Sequence, residues 1–482
     1  MPVIRRYKIS LGAVVAYSLV AIYAAYFVAL TVRTQMAMGT SAFDFGLYDQ
    51  GIWLMSRGKT PFVTLMGRNL LGDHTSFVLL PLVPLYWLFS STSTLFVVQS
   101  IAIAAGALPV FWYSRKALQS EILGAAMVAV YLLHPAVSFT ALENFHPDAF
   151  LGLFVGMAVY GAIERRWRIY LVFVVLAMLV KEDVALVIVP LGIWVALRRD
   201  VKRGIATIVG ALAAMAFFFF VWMKHFTGVA LRNSWRIPFG GFSGLLETTF
   251  TRPWKLVAHL ASDGRPTYLF QMLAPVGFAF VTAPEVVAIG GVVLFTNILS
   301  TFWYQYNIEY HYSLVVVPMI VIGTAYALSR ARQNARRILV ALVLGTSLLS
   351  ALVWSPLPGA RTEVQAWRTD HPAVPAARKL FALIPADAKI SVYHQLAGQL
   401  ARRQYIYSFP NPFVRSLYGP DVFATGDRLP QADTIEYVML PRELLGAPGM
   451  IWQAERDDFV VVAQNDFWVL YRRSSIGATI LG

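Results

Sequence analysis

Long apolar runs separated by short basic clusters carry the chain from its first residues to Trp354. About 20 apolar residues cross a bilayer as a helix, and a helix satisfies its own backbone groups in lipid. The pattern therefore predicts an all-α polytopic transmembrane bundle. The first run, 9–32, exceeds a signal-peptide core and lacks a clear small-residue cleavage site, so it reads as a retained anchor. Arg5, Arg6 and Lys8 precede it, and the positive-inside rule puts the N-terminus in the cytoplasm. The mixed segment 34–73 then lies outside. The run 77–89 is too short to cross and carries Pro81 and Pro84, so it reads as a juxtamembrane or re-entrant element.

The basic clusters order the remaining runs. Residues 95–113 lead inward to Arg115 and Lys116; 122–139 lead outward; 149–163 return to Arg165, Arg166 and Arg168. Two short runs, 169–180 and 184–197, form a hairpin with Lys181, Glu182 and Asp183 at its tip. Residues 205–223 exit to a second external loop, and 268–283, 286–303 and 313–328 cross in turn to the loop of Arg330, Arg332, Arg336 and Arg337. Run 338–354 exits last. About eleven spans result, keeping the strong basic clusters inside and the acidic motifs outside. Treating 77–89 as a crossing inverts everything downstream and splits the acidic motifs between both faces.

The predicted membrane domain is 1–354, with external loops 33–94 and 224–266. At Ser355 the composition changes: Pro356, Pro358, Pro372 and Pro375 mark a linker into a small soluble α/β domain, 355–482, on the external side. There, 376–383 reads as a helix and 389–393, 435–440, 459–463 and 467–471 as strands, the last two a hairpin through Gln464, Asn465 and Asp466. The sequence has no internal repeat and no low-complexity tract.

Composition agrees with the pattern. The chain of 482 residues is 57% hydrophobic and 14% charged, where a soluble chain carries about 25% charged residues. Its net charge of +14 sits largely between apolar runs, which points to topology and anionic membrane lipids rather than nucleic acid. The chain has no cysteine, which excludes disulfides, thiolate nucleophiles and Cys-ligated metals. No Walker loop, dinucleotide fingerprint or hydrolytic Ser-His-Asp spacing appears.

Ionisable residues beside the bilayer are costly and so are functional candidates. Asp44 and Asp49 follow the first span in an aromatic, Gly-containing segment; they suit a general base or a metal ligand, and Asp44 equally suits a helix cap. Asp73 and His74 precede the re-entrant run and suit a cap or a phosphate or metal contact. Glu143, His146 and Asp148 are the densest cluster; Glu143 and His146, three apart, can face one way on a helix. Lys181, Glu182 and Asp183 sit where charges need partners, either one another or a charged ligand. Glu309 and His311 repeat the pattern on the same face, and Arg232 lies in the second loop.

Asp44-Phe45-Gly46 with Asp49-Gln50, Gly72-Asp73-His74, Phe145-His146-Pro147-Asp148 and Lys181-Glu182-Asp183 together resemble a family of bacterial and archaeal polytopic membrane proteins known as a domain of unknown function. The resemblance runs from about Arg33 to the C-terminus. The layout in turn resembles the GT-C class of glycosyltransferases, which use polyprenyl-phosphate-linked sugars. That resemblance implies an inverting transfer to a glycan, lipid or protein acceptor at the extracytoplasmic face of the plasma membrane. Asp44 stands where the class has its catalytic Asp, and Asp49, Glu143 or Asp148 would orient the acceptor or a divalent cation such as Mg or Mn. Asp73 and His74 stand where lipid-A aminoarabinose transferases have an acidic-basic pair, with His74 in place of a Lys. His74, His146, Lys181 and Arg232 would neutralise the departing phosphate. A transporter or flippase for a lipid or anionic solute is the competing expectation, with charges near the midplane and paired repeats.

Overall fold

The computed structural model describes residues 10–89, 91–420 and 422–474; Arg5, Arg6 and Lys8, on which the N-terminal orientation rests, lie outside them. Among the described residues, five helices are long and apolar enough to cross a membrane: Leu11–Met36, Thr94–Ala117, Val201–Thr227, His311–Leu328 and Gln333–Trp354. A sixth span arises if Glu121–Leu133 and Pro135–Leu142, bent by 55°, count as one. Pro135 lacks an N–H and forces His134 into an extended conformation (φ −63°, ψ 124°), which breaks the helix. The His134 ring caps the second half by accepting from the Ala136 N–H at 3.3 Å, and its other nitrogen lies 3.0 Å from the Met272 carbonyl oxygen.

The expectation of about eleven spans is met in part. The other predicted crossings are short: Pro147–Ile163, Trp167–Met178 and Val287–Leu299 are apolar helices of 10–17 residues. Run 268–283 divides into Arg265–Leu273 and two 3-10 turns. Phe77–Leu88 is short, as its prolines predict.

Burial sorts the long helices. His311–Leu328 is 89% buried across its apolar window and Thr94–Ala117 67%, whereas Leu11–Met36, Val201–Thr227 and Gln333–Trp354 are 17–28% buried. Helices this apolar and this little covered by protein are built to face lipid.

Two small sheets complete the fold. Strands β1 (Phe62–Val63) and β2 (Arg68–Asn69) form an antiparallel hairpin in the first loop. Strands β3 (Ile390–Val392), β4 (Ile406–Ser408), β5 (Tyr437–Pro441), β6 (Phe459–Gln464) and β7 (Trp468–Arg473) form a sheet of order β4-β3-β5-β7-β6. β3 runs parallel to β4 and β5, while β7 is antiparallel to β5 and β6. The predicted strands and terminal hairpin are present; β4 and the helices His394–Leu400 and Gly446–Glu455 were not expected.

This sheet does not sit apart from the first loop. Phe45, Ile52, Val63, Leu65 and Leu79 of the loop share one core with Val374, Ile390, Leu396 and Ile406. Polar contacts follow the same seam: Gln35 Nε2 donates to Gly398 O at 3.0 Å, and Thr64 Oγ1 to Ile406 O at 2.7 Å.

Candidate functional site

Asp44 lies in the turn Ala42–Gly46 with φ 56° and ψ −87°, a left-handed-side conformation that a β-substituted residue adopts at a cost of about 1–3 kcal/mol. Its neighbours hold it there. Phe45 is fully buried and stacks on Phe96 at 4.7 Å, and Gly46 N donates to Ser41 O. Behind the turn, Gly398 packs so closely that a Cβ there would lie 2.6 Å from Thr40 Oγ1 and 3.4 Å from the Phe45 ring. The C-terminal region thus buttresses the turn that presents Asp44.

The Asp44 side chain is 36% exposed, and its Oδ1 lies 3.1 Å from His146 Nε2. The His146 ring stacks on His311, with centroids 3.6 Å apart and planes 18° from parallel. His311 N donates to Glu143 Oε2 at 2.8 Å, and its Nδ1 lies 3.1 Å from Glu143 Oε1. Gln99 fixes this turn from the neighbouring helix, donating to Glu143 O at 2.8 Å and accepting from His146 N at 3.0 Å. Tyr48 meets the His146 ring edge-on at 5.5 Å.

Beside this group, Lys181 Nζ lies 3.9 Å from Asp148 Oδ1 and 5.3 Å above the Tyr312 ring. Both charged side chains are under 10% exposed. Glu182 turns the other way: its Oε1 is 2.7 Å from His74 Nδ1, and its Oε2 accepts from Thr75 N at 3.2 Å. Glu182 thus finds its hydrogen-bond partners outside the hairpin tip. A cavity behind it is lined by Asp148, Lys181, Asp183, Asn297, Gln305 and Tyr312.

These contacts set the electrostatics of the connecting segments. Partial burial pushes the Asp44 carboxyl up, but His146, His311 and Lys181 outweigh it and hold it below its usual range. Burial pushes Glu143 up to about 8, with Asp44 and Asp148 adding to it and His146 opposing. Burial opposes the Lys181 ammonium, yet Asp148 and Asp183 more than restore it, so it stays charged. Asp73 resists burial through Arg68, His74 and Arg232 and is held well below the carboxylate range.

Several expected residues are drawn elsewhere. Asp49, expected as a catalytic group or metal ligand, has a side chain with no exposure; it is held by Arg402 and by the Tyr86 hydroxyl at 2.7 Å. Arg232, expected to face a phosphate, pairs with Asp73 and donates to Pro420 O at 3.0 Å. Asp73 also binds Arg68 Nε at 2.7 Å, and Arg68 donates to Gly419 O at 2.9 Å. This network ties both loops to the C-terminal region. Glu309 is exposed and stands outside the cluster.

The structure thus gathers Asp44, Glu143, His146 and His311 on one side and Asp148, Lys181, Glu182 and His74 on the other. Glu143, His146 and His311 each bring one donor atom within 4.8 Å of the others, a set able to hold a metal ion. Gln99, Asn297 and Gln305 were missed. Gln99 and Asn297 are polar residues inside apolar runs, a signal as informative as charge in that setting.

All of these groups sit at helix ends that face one another. The other ends of the same helices carry Lys116–Glu164 and Arg330–Glu285 pairs, and Arg336 donates to Leu118 O. The acidic-imidazole face and the basic face are therefore opposite ends of one bundle.

Among solved structures, the chain is similar to ArnT from Cupriavidus metallidurans in its apo-state crystal structure. The TM-score is 0.51 at 15% identity, with 95% of this chain and 97% of that one covered. This shows a shared fold and bears out the GT-C-like resemblance. Curated proteins give no match. The model of a family of predicted membrane proteins, DUF2079, matches residues 35–443, and the chain belongs to that family.

Proposed function

We propose that this protein is an inverting glycosyltransferase that moves a sugar from a polyprenyl-phosphate donor to an acceptor hydroxyl at the extracytoplasmic face of the plasma membrane. In this reading the N-terminus is cytoplasmic, the loops 33–94 and 224–266 and the domain 355–482 are external, and the shorter helices complete about eleven crossings. The observation that carries it is Asp44: a partly exposed carboxylate, held in a strained turn in the first loop of an ArnT-like fold, with imidazoles and a buried ammonium gathered beside it.

Asp44 accepts the proton of the acceptor hydroxyl as that oxygen attacks the anomeric carbon. The bond from that carbon to the phosphate oxygen breaks, and the polyprenyl phosphate leaves with the electron pair. Lys181, from its poorly hydrated position, and His74 neutralise the charge that develops on it. His146 flanks the Asp44 carboxylate, and Asp148 stands beside Lys181 at the cavity. The carboxylates, Asn297 and Gln305 suit the hydroxyls of a sugar.

The test uses purified protein in lipid nanodiscs with a radiolabelled undecaprenyl-phosphate hexose and membrane extract as acceptor. Release of undecaprenyl phosphate is measured. Asp44→Asn is expected to slow release by about 10²–10⁴-fold with donor binding retained. Equal turnover in that variant moves the chemistry away from Asp44.

A further inference from the structure

We propose that Glu143, His146 and His311 bind a divalent first-row transition-metal ion beside Asp44. Their donor atoms lie within 4.8 Å of one another. An ion with bonds of about 2.0–2.2 Å spans donor atoms roughly 3–4 Å apart, so small ring rotations close the site.

An independent observation points to a ligand. His146 Nε2 is fully buried and makes no hydrogen bond, although Asp44 Oδ1 lies 3.1 Å away, out of line for one. A buried polar atom left unpaired is costly and calls for an explanation. An unpaired imidazole nitrogen inside a set of potential metal donors suits a ligand atom awaiting its ion.

The surroundings are built to hold the donors still. Gln99 pins the backbone of Glu143 and His146, and Glu143 fixes the His311 backbone and ring. The donor set decides the ion. Two imidazoles and a carboxylate, with no thiolate anywhere in the chain, favour Zn²⁺, Co²⁺, Fe²⁺ or Mn²⁺. Mg²⁺ and Ca²⁺ prefer all-oxygen sites. Asp44 lies outside this set and borders it on the more exposed side, with its Oδ1 3.1 Å from His146 Nε2.

This inference goes beyond the glycosyl-transfer reading, since uptake of an ion needs neither donor nor acceptor. The test is a titration of the full chain, carrying a tag without histidine and stripped with EDTA, with Co²⁺ in detergent. Visible absorption reports the coordination, and elemental analysis after gel filtration counts the ion. About one Co²⁺ per chain is expected, with the visible band absent in His146→Ala and His311→Ala and unchanged in Glu309→Ala. Glu143→Gln is expected to weaken uptake by about 10–100-fold or more. Where an alanine variant fails to fold by gel filtration, His146→Asn carries the same test. No uptake by the wild-type chain overturns the proposal, as does equal uptake by folded histidine variants. Donor turnover by the stripped protein leaves the glycosyltransferase reading standing and is scored separately.

Discussion

The Asp49 carboxylate of the first loop and the Arg402 guanidinium of the C-terminal region meet at 3.1 Å, with no solvent reaching the aspartate. Tyr86 donates to the same carboxylate, and its ring lies 4.4 Å beneath Arg402, which also donates to Ser91 O. The pair fastens the sheet to the loop that carries Asp44. Removing one partner leaves a buried charge uncompensated, which typically costs about 3–5 kcal/mol. Arg402→Ala should therefore lower the melting temperature sharply. Asp49→Asn, which keeps the shape, should lose less and retain donor binding at a temperature where it stays folded. Loss of donor binding in a folded Asp49→Asn protein would return Asp49 to the site.

The opposed acidic and basic ends of the bundle give a direct test of orientation. The chain has no cysteine, so single cysteines label against a clean background. Lys59, Ser234 and Glu443 are exposed near or beyond the acidic end, and Gln333 is exposed at the start of the last long helix, after the Arg330 turn. Cysteines at the first three should react with an impermeant thiol reagent in intact cells, and one at Gln333 only after lysis. The reverse pattern would invert the threading.

The sequence makes the membrane class, the order of apolar runs and the C-terminal strands readable because each follows from local periodicity. Asp44, His146, Lys181 and His311 could be proposed because charge beside a bilayer is costly wherever it lands. Which of these meet is another matter. Asp49 and Asp44 are five residues apart, yet the helix Leu47–Ser56 turns one toward Arg402 while the strained turn leaves the other at the site. Arg232 found Asp73 across 159 positions, and no local pattern encodes a partner that distant. The crossings counted from apolar length fall short where proline and glycine break helices, as in 268–283.

The His74–Glu182 pair predicts a pH window. Burial pushes the His74 ring down, but the Glu182 carboxylate outweighs it, against the opposing Lys181 charge, and raises it. Burial pushes Glu182 up, but His74 and Lys181 outweigh it and lower it. A raised histidine stabilises below its unfolded pKa of about 6.5 and loses that contribution as pH rises through its folded value. A lowered carboxylate stabilises above its unfolded value of about 4.3 and loses that contribution as pH falls. The pair is thus worth most at about pH 5–6.5. The stability gap between wild type and Glu182→Gln should be widest there and narrow as pH rises through the raised folded value of His74, as read by melting temperature. A gap that does not change with pH would mean that His74 stays neutral throughout.

Lys181 separates a ligand-facing charge from a structural one. Its ammonium is buried; Asp148 and Asp183 both favour its charge, and the Asp148 carboxylate stands 3.9 Å away, too far for a hydrogen bond. A pair this loose in so dry a place leaves donor capacity unspent, as a phosphate partner requires. Lys181→Met keeps the apolar stem and removes the charge. It should weaken binding of a polyprenyl-phosphate sugar by about 1.5–3 kcal/mol, the value of a hydrogen bond to a charged group. It also strands Asp148, so stability should fall by up to about 3–5 kcal/mol. The double variant Lys181→Met, Asp148→Asn relieves the stranded carboxylate and should recover most of that stability. Donor affinity should stay low in the double variant, because the phosphate still lacks its cation. If affinity and stability return together, Lys181 serves only to neutralise Asp148 and drops out of the site. If stability returns alone, the ammonium acts on the ligand.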